Sequence, residues 1–151
     1  ITANKDYLLQ ESRDTLSLKA NPTSSISHLL SFITNNPTDR DADLYRILVA
    51  LYIQQGSLED AEDVADEYLT ENASIEDQIA VAILKVELNK SNEAFIILKK
   101  LYSVDENEDI LMQISDIFKN APENNISKNN LHNEIINMMT RHIKSHKNTS
   151  V

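Results

Sequence analysis

The sequence predicts an all-α fold of about eight helices arranged as antiparallel pairs, and three observations carry the prediction. Leu, Ile, Ala, Glu and Lys recur with apolar residues three and four apart, the period of a helix that buries one face. Strand punctuation is sparse: the 151 residues hold one glycine and three prolines (Pro22, Pro37 and Pro122), with no Asn-Gly or Asp-Gly hairpin signal. The clearest stretch, residues 42–72, divides into two amphipathic helices hinged at Gln55-Gly56-Ser57. The same unit can be traced before and after it.

In chain order, Tyr7, Leu8, Leu9, Leu16 and Leu18 give the apolar set of a helix over residues 5–19, broken at Asn21-Pro22. Thr23 or Ser24 is expected to cap the next helix by accepting a free amide hydrogen of its first turn. That helix carries Ile26, Leu29, Leu30, Phe32 and Ile33. It ends at Asn35-Asn36-Pro37, because proline disfavours helical geometry in the residue before it. A side-chain oxygen followed three residues later by an acid marks the next starts, at Thr38…Asp41, Ser57…Asp60, Ser74…Asp77 and Asp105…Glu108. The acid near each start also complements the helix dipole.

Between those starts run Leu44, Ile47, Leu48, Leu51 and Tyr52, then Leu58, Ala61, Ala65, Tyr68 and Leu69. Ile75, Ile79, Ala82, Ile83 and Val86 follow, and after Asn89–Ser91 come Ala94, Phe95, Ile97, Leu98 and Leu101. Ile110, Leu111, Ile114, Ile117 and Phe118 form another helix, closed by Ala121-Pro122. A last helix over about 127–145 holds Leu131, Ile135, Met138, Met139, His142 and Ile143. One domain is expected over residues 1–146, with residues 147–151 a frayed tail. No single pair can bury its own apolar faces, so the pairs must stack.

A net charge of −10 and a pI near 4.7 disfavour nucleic acid as a partner, because such a chain repels phosphate backbones. Cysteine is absent, which removes disulfides and thiolate metal sites. No apolar run is long enough to span a bilayer, so membrane insertion is not expected. The start, ITANKDYLLQ, does not read as a signal peptide, and the lack of an initiator methionine suggests a segment of a longer or processed protein. The compartment is left open, with the cytoplasm favoured. Asn-X-Ser/Thr occurs at Asn72, Asn125 and Asn148, which in so asparagine-rich a chain reads as chance.

Aligning the pairs gives a period near 33 or 34 residues, and here the chain resembles the tetratricopeptide repeat (TPR). Tyr45, Leu48, Tyr52, Gly56 and Ala61 stand where that family places its large aromatic, leucine, tyrosine, hinge glycine and helix-crossing alanine. Tyr68 stands where a small residue is usual, and Val49 replaces the family's first glycine or alanine. Ala94 lies one period of 33 residues after Ala61, and Pro37 matches the closing proline of the first pair. The resemblance implies a TPR-like α-solenoid whose first helices line a concave groove for a protein partner, a helix or a peptide.

In that register the groove is lined by Arg46, Ile47, Ala50 and Ile53, then Val81, Leu84 and Leu88, then Met112. The lining is apolar, with Arg46 to orient the partner. The family's clamp for acidic C-termini is not expected, because Ala50 stands where that clamp needs asparagine. Glu59, Glu62, Asp63 and Asp66 belong to a run from Glu59 to Asp77 free of Lys and Arg. The run reads as a solvated helix face, or as a patch that docks a basic partner.

His142 and His146 lie four apart, yet no third ligand accompanies them, and a frayed surface helix is the expectation there. Lys128, Arg141, Lys144 and Lys147 tint that end basic. No nucleophile with a base, phosphate loop or cofactor motif is evident, so neither catalysis nor a cofactor or metal is expected. The alternative to a groove is a spacer, or an oligomerisation element in which Met138, Met139 and Ile143 pack on a second copy.

Overall fold

The computed structural model describes residues 4–69, 73–119 and 127–147. Among the described residues the chain is all helical, with eight helices: α1 (Lys5–Ser17), α2 (Thr23–Asn35), α3 (Ala42–Gln55), α4 (Leu58–Tyr68), α5 (Ile75–Glu87), α6 (Ser91–Asp105), α7 (Glu108–Lys119) and α8 (Ser127–Lys147). The three Asn-X-Ser/Thr asparagines, the Ala121-Pro122 break and residues 148–151 lie outside the described residues, as do the side chains of Lys128 and Lys147. Two compact units make up the chain, Ile1–Asp77 and Gln78–Val151, and their boundary falls inside α5.

In the first unit, α1 and α2 form a hairpin, α3 packs on both, and α4 folds back along α3. Its core gathers Leu8 and Leu9 of α1, Ile26 and Leu29 of α2, and Leu44, Leu48 and Leu51 of α3. In the second unit Ile79, Ala82 and Val86 of α5 share a core with residues of α6, α7 and α8. There Phe95 meets Phe118 edge to face, with ring centroids 5.8 Å apart. Packing between successive helices is what a helical repeat requires.

The first helix of each of the first three pairs ends in the same way. Lys19, Gly56 and Asn89 adopt left-handed backbone at φ of 51°, 87° and 65°. After each, the next amide reaches back to a carbonyl five residues earlier: Ala20 to Thr15 at 3.0 Å, Ser57 to Tyr52 at 2.9 Å, and Lys90 to Lys85 at 2.8 Å. These are Schellman turns, which satisfy helix-end carbonyls while reversing the chain. The three left-handed residues stand 37 and 33 residues apart. In the following helix the fourth residue is buried each time: Ile26, Ala61 and Ala94.

The helix starts depart from expectation in an instructive way. Neither Thr23 nor Ser24 caps α2, which Pro22 flanks; Asn21 just ahead of it accepts the Thr23 amide at 3.0 Å. The start expected at Thr38 is displaced, and Asp41 caps α3 by accepting the Asp43 amide at 2.9 Å. Asn107, not Asp105, caps α7 through the Asp109 amide at 2.7 Å, and Asn4 caps α1 through Asp6 at 3.0 Å. A short Asn or Asp side chain reaches the amide two residues on, so the operative signal is Asx with an acid or threonine at plus two. Ser57 does precede α4, but its hydroxyl donates to Gln55 instead of accepting from the helix. Ser74 alone of the four accepts the amide three residues on, that of Asp77, at 3.1 Å.

Tyr68 lies flat on Tyr45, with centroids 3.8 Å apart and planes 12° apart. The Arg40 guanidinium lies over the Tyr68 ring at 5.5 Å, so the ring is held by contacts with Tyr45 and Arg40. Lys5 bridges the carboxylates of Asp39 and Asp41 at 3.1 Å each, tying the start of α1 to the loop before α3.

Left-handed backbone disfavours any residue with a Cβ, and a Cβ built on Gly56 meets nothing within 4 Å. Gly56→Ala is therefore expected to cost about 1 kcal/mol through backbone strain alone, and Lys19→Gly to gain about 0.5–1 kcal/mol. Urea unfolding of the two variants beside wild type checks both signs.

Candidate functional site

The expected groove residues divide between the two units, and each set is placed differently from the sequence reading. On α3, Arg46, Ala50 and Ile53 share one face. Ile53 is 42% exposed, Ala50 is half-buried, and Ile47 packs against the core of the first unit. In the second unit Val81 and Leu84 are 3% and 2% exposed, so both are interior residues. Leu88 is half-buried, and Met112 on α7 is 50% exposed.

Arg46 is already engaged. Its Nε and Nη2 donate to Oδ1 and Oδ2 of Asp77 at 2.7 and 2.8 Å, a two-pronged pair within the first unit, and Nη1 donates to Asp43. Asp77 is buried, and it is also the residue whose amide binds Ser74 at the start of α5. The Arg46 guanidinium, followed by Ser74, holds the Asp77 carboxyl below its ordinary range against the opposing effect of burial. Arg46 is pushed up in turn, chiefly by the same hydrogen bonds. Asp77 closes the acidic run that begins at Glu59, and no local spacing links it to Arg46, 31 residues away.

On α4, Glu59, Asp63 and Asp66 are exposed, while Glu62 is buried and leaves the exposed acidic face. In the second unit His142 is far from frayed. α8 continues to Lys147, and the His142 ring is 8% exposed. Its Nδ1 lies 2.6 Å from the Tyr102 hydroxyl, and His146 stacks on it with centroids 3.8 Å apart. Burial, then the charge of Glu106, pushes the Tyr102 phenol up, so it keeps its proton. No sequence spacing links Tyr102 to His142, which come together only when α6 packs on α8. Beside them lies a cleft of about 310 Å³ between Lys99, Tyr102 and Ser103 of α6 and Met138, Arg141 and His142 of α8.

Met138 is buried and Met139 packs on the core, so of the three residues expected to contact a second copy only Ile143 is exposed. Among the described residues no group of three His, Cys, Asp or Glu side chains is placed to hold a metal ion. Nor, among them, is any helix long and apolar enough to cross a membrane. No protein-family model matches the chain, and no curated protein or solved structure is significantly similar to it.

Because Asp77 titrates below its ordinary 3.8, its pairing contributes fully above that pH and is lost as pH falls through the lowered folded value. Asp77→Asn is expected to cost about 1–2 kcal/mol near neutral pH, discounted because Arg46 is partly solvated. The gap from wild type should narrow at an acid pH well below 3.8, where the unfolded chain's carboxylate is protonated and the folded pairing is being lost. Chemical denaturation at the two pH values tests this.

Proposed function

We propose that this chain is a non-catalytic, TPR-like protein-binding module, a helical-repeat scaffold that holds a partner helix or peptide by apolar contacts. The observation that supports this reading best is the repeated unit: a helix closed by a left-handed residue and a Schellman turn, then a second helix with its fourth residue buried. Such a framework fixes exposed side chains at regular intervals without needing chemistry of its own. Of the residues expected from the sequence to meet a partner, Ile53 in the first unit and Met112 in the second each keep substantial exposed apolar area on their own unit. Arg46, neutralised by Asp77 and Asp43, adds little charge for a partner to read. Glu59, Asp63 and Asp66 of α4 would favour a basic partner and act on its association rate.

The alternative is a spacer or self-associating element, favoured by Ile136 and Ile143. These lie two turns apart on α8 and are 58% and 63% exposed. Sedimentation of the purified chain across a concentration series separates the two, since self-association through α8 raises the mass and Ile143→Glu abolishes the rise.

Leu84→Asp buries an unpaired charge and is expected to cost more than about 3 kcal/mol, visible as loss of helicity. It cannot serve as a surface probe. Ile53→Glu and Met112→Glu should keep the helical spectrum and melting temperature of wild type yet lose the partner captured by a photocrosslinker on α3 or α7. Retention of that partner by both folded variants would sink the reading.

A further inference from the structure

The cleft between α6 and α8 has features that the protein-binding reading does not use. Its volume of about 310 Å³ lies at the lower end of the range for small-molecule sites. Lys99 and Arg141 both line it, and among the described residues neither has a carboxylate partner; the contact recorded for Lys99 is with the Phe95 ring, at 5.9 Å. In a chain with 24 acidic and 14 basic residues, two cations left unpaired on one cleft run against composition.

The buried imidazole adds a third donor. Tyr102 keeps its phenolic proton, and its hydroxyl makes one hydrogen bond among the described residues, to Nδ1 of His142. In the tautomer whose Nδ1 accepts from the phenol, the ring carries its proton on Nε2. Nε2 has no partner among the described residues, although the side chain is more than nine-tenths buried and lines the cleft. A buried N–H without an acceptor is uncommon and calls for a ligand atom or a water.

We propose that this cleft binds a small molecule carrying one carboxylate on an apolar body. Lys99, Arg141 and His142 Nε2–H supply donors to its oxygens, and Met138 and the Tyr102 ring supply apolar surface. The single charge follows from Glu106, the one acid in the lining, which set against Lys99 and Arg141 leaves a formal surplus of one positive charge. A dianion would leave excess negative charge in the cleft.

The test is a titration of the full chain, labelled with ¹³C on the methyl groups of its three methionines, Met112, Met138 and Met139. Octanoate should shift the Met138 signal saturably and leave that of Met112, on α7, in place. Octanamide, the same body without the charge, should not. Octyl phosphate should bind more weakly than octanoate. Arg141 and Lys99 are exposed, so the double variant Lys99→Gln/Arg141→Gln should keep its helical spectrum and raise the octanoate Kd by about tenfold or more. The proposal is overturned if octanoate gives no saturable Met138 shift, if octanamide matches it, or if the folded double variant titrates like wild type. Tighter binding of octyl phosphate would overturn the assignment of a single charge.

Discussion

The fold depends on turning the chain back within two to five residues at the end of the first helix in each of the first three pairs. A helix end leaves carbonyls without partners, and a close-packed hairpin gives water little access to them. The left-handed residues at 19, 56 and 89 solve both problems, since they reverse direction and aim the following amides at the stranded carbonyls. Only one of the three is glycine. Asn89 tolerates the conformation through its short polar side chain, and Lys19 carries its strain within a turn held from a second side. Gln54 of α3 donates to the carbonyls of Thr15 and Ala20 at 3.2 and 2.6 Å, so the end of α1 is completed by a residue from the next pair.

The opposite helix ends show how one carboxylate can serve two levels of structure. Asp77 belongs to the cap that starts α5, and its carboxylate also grips Arg46 on α3. Local capping and tertiary packing within the first unit therefore rise or fall together. The sequence alone suggests a guanidinium waiting for a partner. The fold instead has the partner built in, and what remains on that face of α3 is apolar.

Helix number and helix limits were legible because they rest on local periodicity. The apolar spacing from Leu44 to Tyr52, and the breaks at Asn21-Pro22 and Gly56, act over a few residues and need no knowledge of neighbours. Faces were harder to read. On α5, Ile79, Ala82 and Val86 join the core, yet Val81 and Leu84 around the helix are buried as well. A helix buried on two faces offers no polar stripe to show which side meets solvent. Most caps were hidden for a subtler reason: at α1, α3 and α7 an asparagine or aspartate accepts the amide two residues on, and of the expected starts only Ser74…Asp77 uses the spacing of three. The Tyr102–His142 contact spans 40 residues, and no local pattern could have announced it.

The aromatic inventory has a consequence for how the molecule can be observed. The chain has five tyrosines and no tryptophan. Two of the tyrosines, Tyr45 and Tyr68, are stacked in the first unit, and Tyr102 is hydrogen-bonded to an imidazole in the second. Ultraviolet absorbance and emission therefore come from phenols in unlike settings: Tyr45 and Tyr68 ring to ring, Tyr102 against an imidazole, Tyr7 exposed and Tyr52 partly buried. Tyr102 is the one tyrosine of the second unit, so a phenol signal that changes with the state of its imidazole partner reports on that unit without an attached dye.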